Sequence, residues 1–143
     1  MKAHLSRRYH FSASHRLHND VYSADENRTV FGKCNNPFGH GHNYVVQVTV
    51  SGQVDEQTGM VCNLADLDAF AAKHLLAVFD HTNLNKLPAF QELVPTTENF
   101  AIVLQKIFAE FSSAHLEKVH VEETGNNSFD YAGQPAGNFE MKL

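Results

Sequence analysis

The stretch FGKCNNPFGHGHNY, Phe31 to Tyr44, holds one of the two cysteines of the chain and two histidines separated by a single residue. His40 and His42 lead into a run dense in Val, Tyr and Thr. In an extended strand a spacing of two turns both imidazoles to one side, the geometry that a single metal ion needs. His15, at the end of an earlier alternating segment, is the best third ligand, because consecutive strands usually pair. Three histidines with an open fourth position make a catalytic rather than a structural zinc site. Cys34 admits two readings. As a fourth ligand it would close the site and silence it; beside the metal it would be a thiol acidified by nearby positive charge, a base or nucleophile. The five residues between Cys34 and His40 include a proline and a glycine and leave both geometries open.

Three further groupings carry chemically useful side chains. Asp80 and His81 are adjacent at the end of a predicted helix. They read either as a helix-terminal histidine favoured by the dipole or as a carboxylate orienting an imidazole for proton transfer. Glu122 and Glu123 are neighbours on a predicted strand, so only one can face a given side; that one could accept two hydrogen bonds from an amidine-like edge. Thr96, Thr97 and Glu98 are helix-capping types, and a helix start also offers backbone donors to a ligand. Cys62 reads as a small core residue.

The elements that must position these residues follow from periodicity. HLSRRYHFSASH alternates as a strand, with Leu5, Arg7, Tyr9, Phe11 and Ala13 on one face. Residues 16 to 41, rich in Asn, Asp, Gly and Pro, read as a long functional loop. A second strand, HNYVVQVTVSGQV, precedes a helix capped by Asn63, whose apolar positions are Leu64, Leu67, Phe70 or Ala71, Leu75 and Val78. A second helix opens at PTTEN and carries Phe100, Val103 or Leu104, Ile107 or Phe108, and Phe111. LEKVHVEET and SFDYAGQPAGNFEMKL are the last strand candidates, joined by a turn at GNN. The expectation is a single α+β domain over residues 1–143, ordered ββααββ, with two helices on one face of a four-stranded antiparallel sheet. The other, polar face then meets water or packs in an oligomer.

Composition narrows the classes. A net charge of −5 with pI near 6.0 argues against nucleic acid, and no apolar run approaches a membrane span. The start of the chain does not read as a signal peptide, so the cytoplasm is the default location and both cysteines are expected as free thiols. Ten histidines are the one unusual count, and they return attention to the metal site.

FSASHRL, FGKCNNPFGHGHNY, TGMVCNLADL, DHTNLN, PTTEN and VEETGNN together resemble, in order, the successive blocks of the 6-pyruvoyltetrahydropterin synthases. The resemblance implies a tunnelling fold (T-fold) whose subunits join their strands into a β-barrel, commonly as a hexamer of two trimers. It implies zinc on His15, His40 and His42, with Cys34 as catalytic base and not ligand. Asp80 and His81 would complete a proton relay from a neighbouring subunit. Glu123, rather than Glu122, would anchor the pterin, in a pocket that includes Thr96, Thr97 and Glu98. The implied reaction converts 7,8-dihydroneopterin triphosphate to 6-pyruvoyltetrahydropterin, the lyase step of tetrahydrobiopterin biosynthesis, with release of triphosphate. Zinc would act as a Lewis acid on the side-chain oxygens, and Arg16 and Lys33 are the expected triphosphate contacts.

The 6-carboxytetrahydropterin synthases of the queuosine pathway share the zinc, the cysteine and the Asp-His pair on the same substrate. The NNP-containing spacer after Cys34 is more like the pyruvoyl-forming enzymes. A non-catalytic zinc scaffold and a hydrolase built on Cys34 and His81 are weaker readings. The first leaves Asp80, His81 and Glu123 without a shared purpose, and the second leaves the His40/His42 pair without one. AGNFEMKL lies outside the matched motifs and is read as an extension of the last strand.

Overall fold

A computed structural model describes residues 1–133 of the 143-residue chain. The sheet is built on two long strands, β1 (Lys2–His15) and β2 (His40–Gln53), paired antiparallel from Lys2↔Gln53 to His15↔His40. β4 (His115–Glu122) pairs antiparallel with the other edge of β2, and β5 (Ser128–Tyr131) with β4. These are the four expected strands. A fifth, the two-residue β3 (Thr82–Asn83), lies parallel to β1 and makes the sheet mixed, in the order β3-β1-β2-β4-β5. Its length hid it, since two residues show no periodicity. AGNFEMKL, read above as more of the last strand, lies largely outside the described residues.

One face of the sheet carries the core. Tyr9, Phe11 and Ala13 of β1, Tyr44, Val46, Val48 and Val50 of β2, and Val119 and Val121 of β4 are all buried. Each such aliphatic or aromatic side chain contributes roughly 1.5–3 kcal/mol. α4 (Thr97–Phe108) covers this face with Phe100, Val103, Leu104 and Phe108, the stripe that the sequence predicts. Thr96 caps it by accepting from the Asn99 N–H. The opposite face is a polar ladder in which Arg8 donates to Gln47 and Glu122, Ser6 meets Thr49, and Ser12 donates to Asn43.

The first predicted helix needs a correction. α2 (Leu64–Ala71) passes into a π-helical turn over Ala72–Leu76 before α3 (Ala77–Phe79). The wide turn keeps Leu67, Ala71, Leu75 and Phe79, spaced by four, on one buried face, whereas a period of 3.6 selects Val78, which is exposed. The loop predicted over residues 16 to 41 also contains a helix, α1 (Ala24–Phe31), followed by a 3₁₀ turn over Gly32–Asn35. Ser23 caps α1 by accepting from the Glu26 N–H, and the buried Asn27 amide holds the carbonyls of Asn19, Tyr22 and Ser23. This polar anchoring has no apolar stripe to announce it. Among the described residues no helix is long and apolar enough to cross a membrane.

Candidate metal centre and active site

His15 and His40 are direct cross-strand partners, and partners in an antiparallel pair point to the same face. His42 follows two residues later, so register alone places three imidazoles together. The ring nitrogens His15 Nε2 and His40 Nε2 are 3.0 Å apart, and the His42 ring centroid lies 5.0 Å from that of His15 and 4.7 Å from that of His40. The Pro95 carbonyl lies 2.8 Å from His15 Nδ1, which fixes the proton there and leaves Nε2 free to ligate. Burial lowers the pKa of both His15 and His42, favouring the neutral imidazoles that bind metals.

The fourth member of the cluster comes from the far strand. Val46 pairs with Val121 and Val45 with Glu122, so Glu123, just past β4, falls beside Tyr44 on the histidine face. Glu122 points the other way, to Arg8. Glu123 Oε1 lies 2.9 Å from His42 Nε2 and 3.9 Å from His15 Nε2, while Oε2 accepts a hydrogen bond from the buried Thr97 hydroxyl. Ligand atoms of His15, His40, His42 and Glu123 all lie within 4.8 Å of one another. His42 Nε2 is buried without a well-aligned hydrogen bond despite its short distance to Glu123. A nitrogen so placed fits a metal bond, and the four side chains fit a metal ion. Among the described residues, Cys34 is not one of this ligand set.

Cys34 sits in the 3₁₀ turn after α1, tied to the end of β1. Its carbonyl accepts from Leu17 N–H at 2.8 Å, and the Asn35 side chain reaches the Leu17 carbonyl at 2.8 Å and His18 at 3.0 Å. Burial, then the Glu123 charge, push the half-buried thiol upward, opposite to the lowering that a nearby cation would cause. Gly39 brings the chain back to His40. At φ +73° its missing Cβ would stand 3.1 Å from the His15 carbonyl oxygen, so a side chain there is both strained and obstructed.

Asp80 and His81 lie elsewhere. Asp80 Oδ1 accepts from Ser12 N–H at 3.0 Å, the Ser12 carbonyl accepts from His81 N–H at 2.6 Å, and Asp80 Oδ1 is 2.8 Å from His81 Nδ1. His81 holds a left-handed backbone, φ 58°, and its ring is 83% exposed. The Ser12 N–H lowers the Asp80 pKa most, and His81 lowers it further. The pair is thus formed and oriented, but at the open sheet edge, with no recorded hydrogen bond or ion pair to Cys34.

Of the remaining expected residues, Thr96 and Thr97 stand at the start of α4, and Glu98 is exposed. Arg16 donates through Nε to the Asn35 carbonyl at 3.1 Å. Arg16 and Lys33 share the lining of a cleft of about 470 Å³ with Arg28 and His18. Arg28, in the last turn of α1, was missed because that helix was read as loop. The capping pattern from Ser23 to Glu26 was the available signal.

A mixed α+β sheet with a mononuclear histidine site at its end defines a class of metal-binding proteins. The 6-pyruvoyl tetrahydropterin synthase family model matches residues 4–134, and the chain belongs to that family. It is 49% identical over 138 residues to the human protein named 6-pyruvoyl tetrahydrobiopterin synthase, covering 93% of each. The Drosophila melanogaster protein of the same name is 42% identical over 134 residues, covering 92% of this chain and 80% of that one. The solved Caenorhabditis elegans 6-pyruvoyl tetrahydropterin synthase superposes with a TM-score of 0.89 at 42% identity, covering 94% of this chain and 97% of that one.

Proposed function

We propose that this chain is a zinc-dependent lyase that converts 7,8-dihydroneopterin triphosphate to 6-pyruvoyltetrahydropterin and releases triphosphate, the tetrahydrobiopterin-forming branch of its family. The carrying observation is the convergence of His15, His40 and His42 with Glu123 at one end of the sheet. Near-full-length relatives with the pyruvoyl name support that product over the carboxy-forming one.

Zinc on the three histidines supplies Lewis acidity toward the substrate's side-chain oxygens and a positive field opposing the upward push on the Cys34 thiol. Cys34 takes the carbon-bound proton. Asp80 holds His81 by its Nδ1 edge, and His81 returns or moves a proton through Nε2. Glu123 accepts the two parallel donors of the pterin's amidine edge, with Thr96, Thr97 and Glu98 along the ring's pocket. Arg16 and Lys33 meet the triphosphate, and Arg28, in the same cleft, adds a third cation. Because His81 is exposed at a sheet edge, the relay is completed between subunits, with Asp80 and His81 of one copy serving the Cys34 of another. The assembly is a T-fold barrel of strands, a hexamer of two trimers, formed by one domain spanning residues 1–143 in the cytoplasm.

Incubation with 7,8-dihydroneopterin triphosphate, followed by identification of the pterin, tests the assignment. 6-Pyruvoyltetrahydropterin is expected. 6-Carboxytetrahydropterin with acetaldehyde would move the protein to the queuosine-type branch, and no turnover would overturn both. Cys34→Ala is expected to keep its zinc and lose about 10²–10⁴-fold in rate.

A further inference from the structure

Glu123 is required in two places. Its Oε1 is within ligand distance of the histidine nitrogens, and its Oε2 is engaged by the Thr97 hydroxyl. Around a tetrahedral zinc with bonds near 2.0–2.1 Å, ligand atoms stand about 3.3 Å apart. The separations of 3.0 Å between His15 and His40, and of 2.9 and 3.9 Å from Oε1 to His42 and His15, bracket that value. Oε1 therefore occupies a fourth corner of the site, beside the imidazole nitrogens and not behind them.

We infer that Glu123 is the fourth metal ligand of the pterin-free protein, and that seating a pterin ring draws its carboxylate off the metal and so opens the site. The inference rests on the pterin reading of Glu123 given above. An amidine edge presents two parallel N–H donors and needs both oxygens of one carboxylate. With Oε1 toward the metal and Oε2 toward Thr97, neither oxygen is free for it. The two roles exclude each other in time, and rotation about the glutamate side chain exchanges them. Thr97, itself buried at the first turn of α4, keeps the carboxylate close during the exchange. The fourth position is vacated only when a ring lies next to it, so an open metal is not presented to water in the resting protein.

The test uses the full chain loaded with cobalt(II), and 6-methylpterin as probe, because its methyl group offers no oxygen to a metal. Glu123→Gln is expected to bind cobalt about 10–100-fold more weakly and to have a different visible spectrum from wild type without pterin. Adding 6-methylpterin is expected to move the wild-type spectrum toward that of E123Q and to leave E123Q unchanged. By linkage, metal must weaken 6-methylpterin binding to wild type by the same factor that the pterin weakens metal binding. Equal affinities and spectra for the two pterin-free proteins would overturn the fourth-ligand assignment. A wild-type spectrum unmoved by bound 6-methylpterin would overturn the opening step. Failure of metal-free wild type to bind 6-methylpterin at all would instead remove the pterin reading, and the opening step with it. The wild-type titration needs no variant, so a poorly folding E123Q would not rescue the idea.

Discussion

The histidine cluster and the Asp80–His81 pair are both built on β1, three residues apart, and they could hardly be more different. His15 is 1% exposed, faces the core and meets partners delivered by β2 and the end of β4 of the same chain. His81 is 83% exposed and hangs from the backbone of Ser12 at the outer edge of the sheet. One chain gathers four metal-ligating side chains by itself, whereas its proton-relay pair is set in place facing outward. The contrast teaches that the two halves of the proposed chemistry depend on different levels of structure, sheet register for the first and assembly for the second.

The largest effect should come from breaking the self-contained half. His42→Ala is expected to reduce bound zinc to background and turnover by at least about 10³-fold, since a Lewis acid supplies several kcal/mol of transition-state stabilisation. Circular dichroism should stay native, because His42 lies at the end of β2 and outside the apolar core. Zinc content by elemental analysis checks it. Full zinc occupancy in the variant would dissolve the distinction drawn here.

An intermediate effect sharpens the other half. Cys34→Ala and His81→Ala are each expected to be nearly inactive alone. Unfolding and refolding an equal mixture should restore about a quarter of the wild-type sites, those that pair an intact cysteine with an intact histidine from another copy. No recovery in mixed oligomers, verified by tagged subunits, would place the relay within one chain.

The smallest effect concerns pH. The Ser12 N–H and His81 depress the Asp80 carboxyl, so its contribution to stability is present above the ordinary carboxylate range and is lost as pH falls through the lower folded value. Asp80→Asn should therefore be less stable than wild type at pH 7 and converge on it near about pH 3. Urea midpoints at the two pH values measure this. Parallel behaviour of the two proteins would mean that Asp80 is not held by the sheet edge in solution.

Much of this was legible in the order of residues. The alternation from Leu5 to Ala13, the spacing of His40 and His42, and the stripe from Phe100 to Phe111 each carry a period that survives in the fold. The losses have specific causes. α1 is anchored by a buried amide, Asn27, and β3 is only two residues long. Val78 and Phe79 exchange places because a π turn widens the helix.

Sequence by itself determined which chemistry was available, because strand periodicity commits a whole face at a time. His40 and His42 had to point together, and Glu122 and Glu123 had to point apart. Tertiary structure alone decided which distant residues share a site. Only the β1–β2 register sets His15 opposite His40, and only the pairing of β2 with β4 brings Glu123 to the same corner. The physical reason is that periodicity acts over two to four residues, whereas register is fixed by the burial of whole strands against α4. The same register turns a carboxylate that reads as a pterin anchor into a neighbour of the metal.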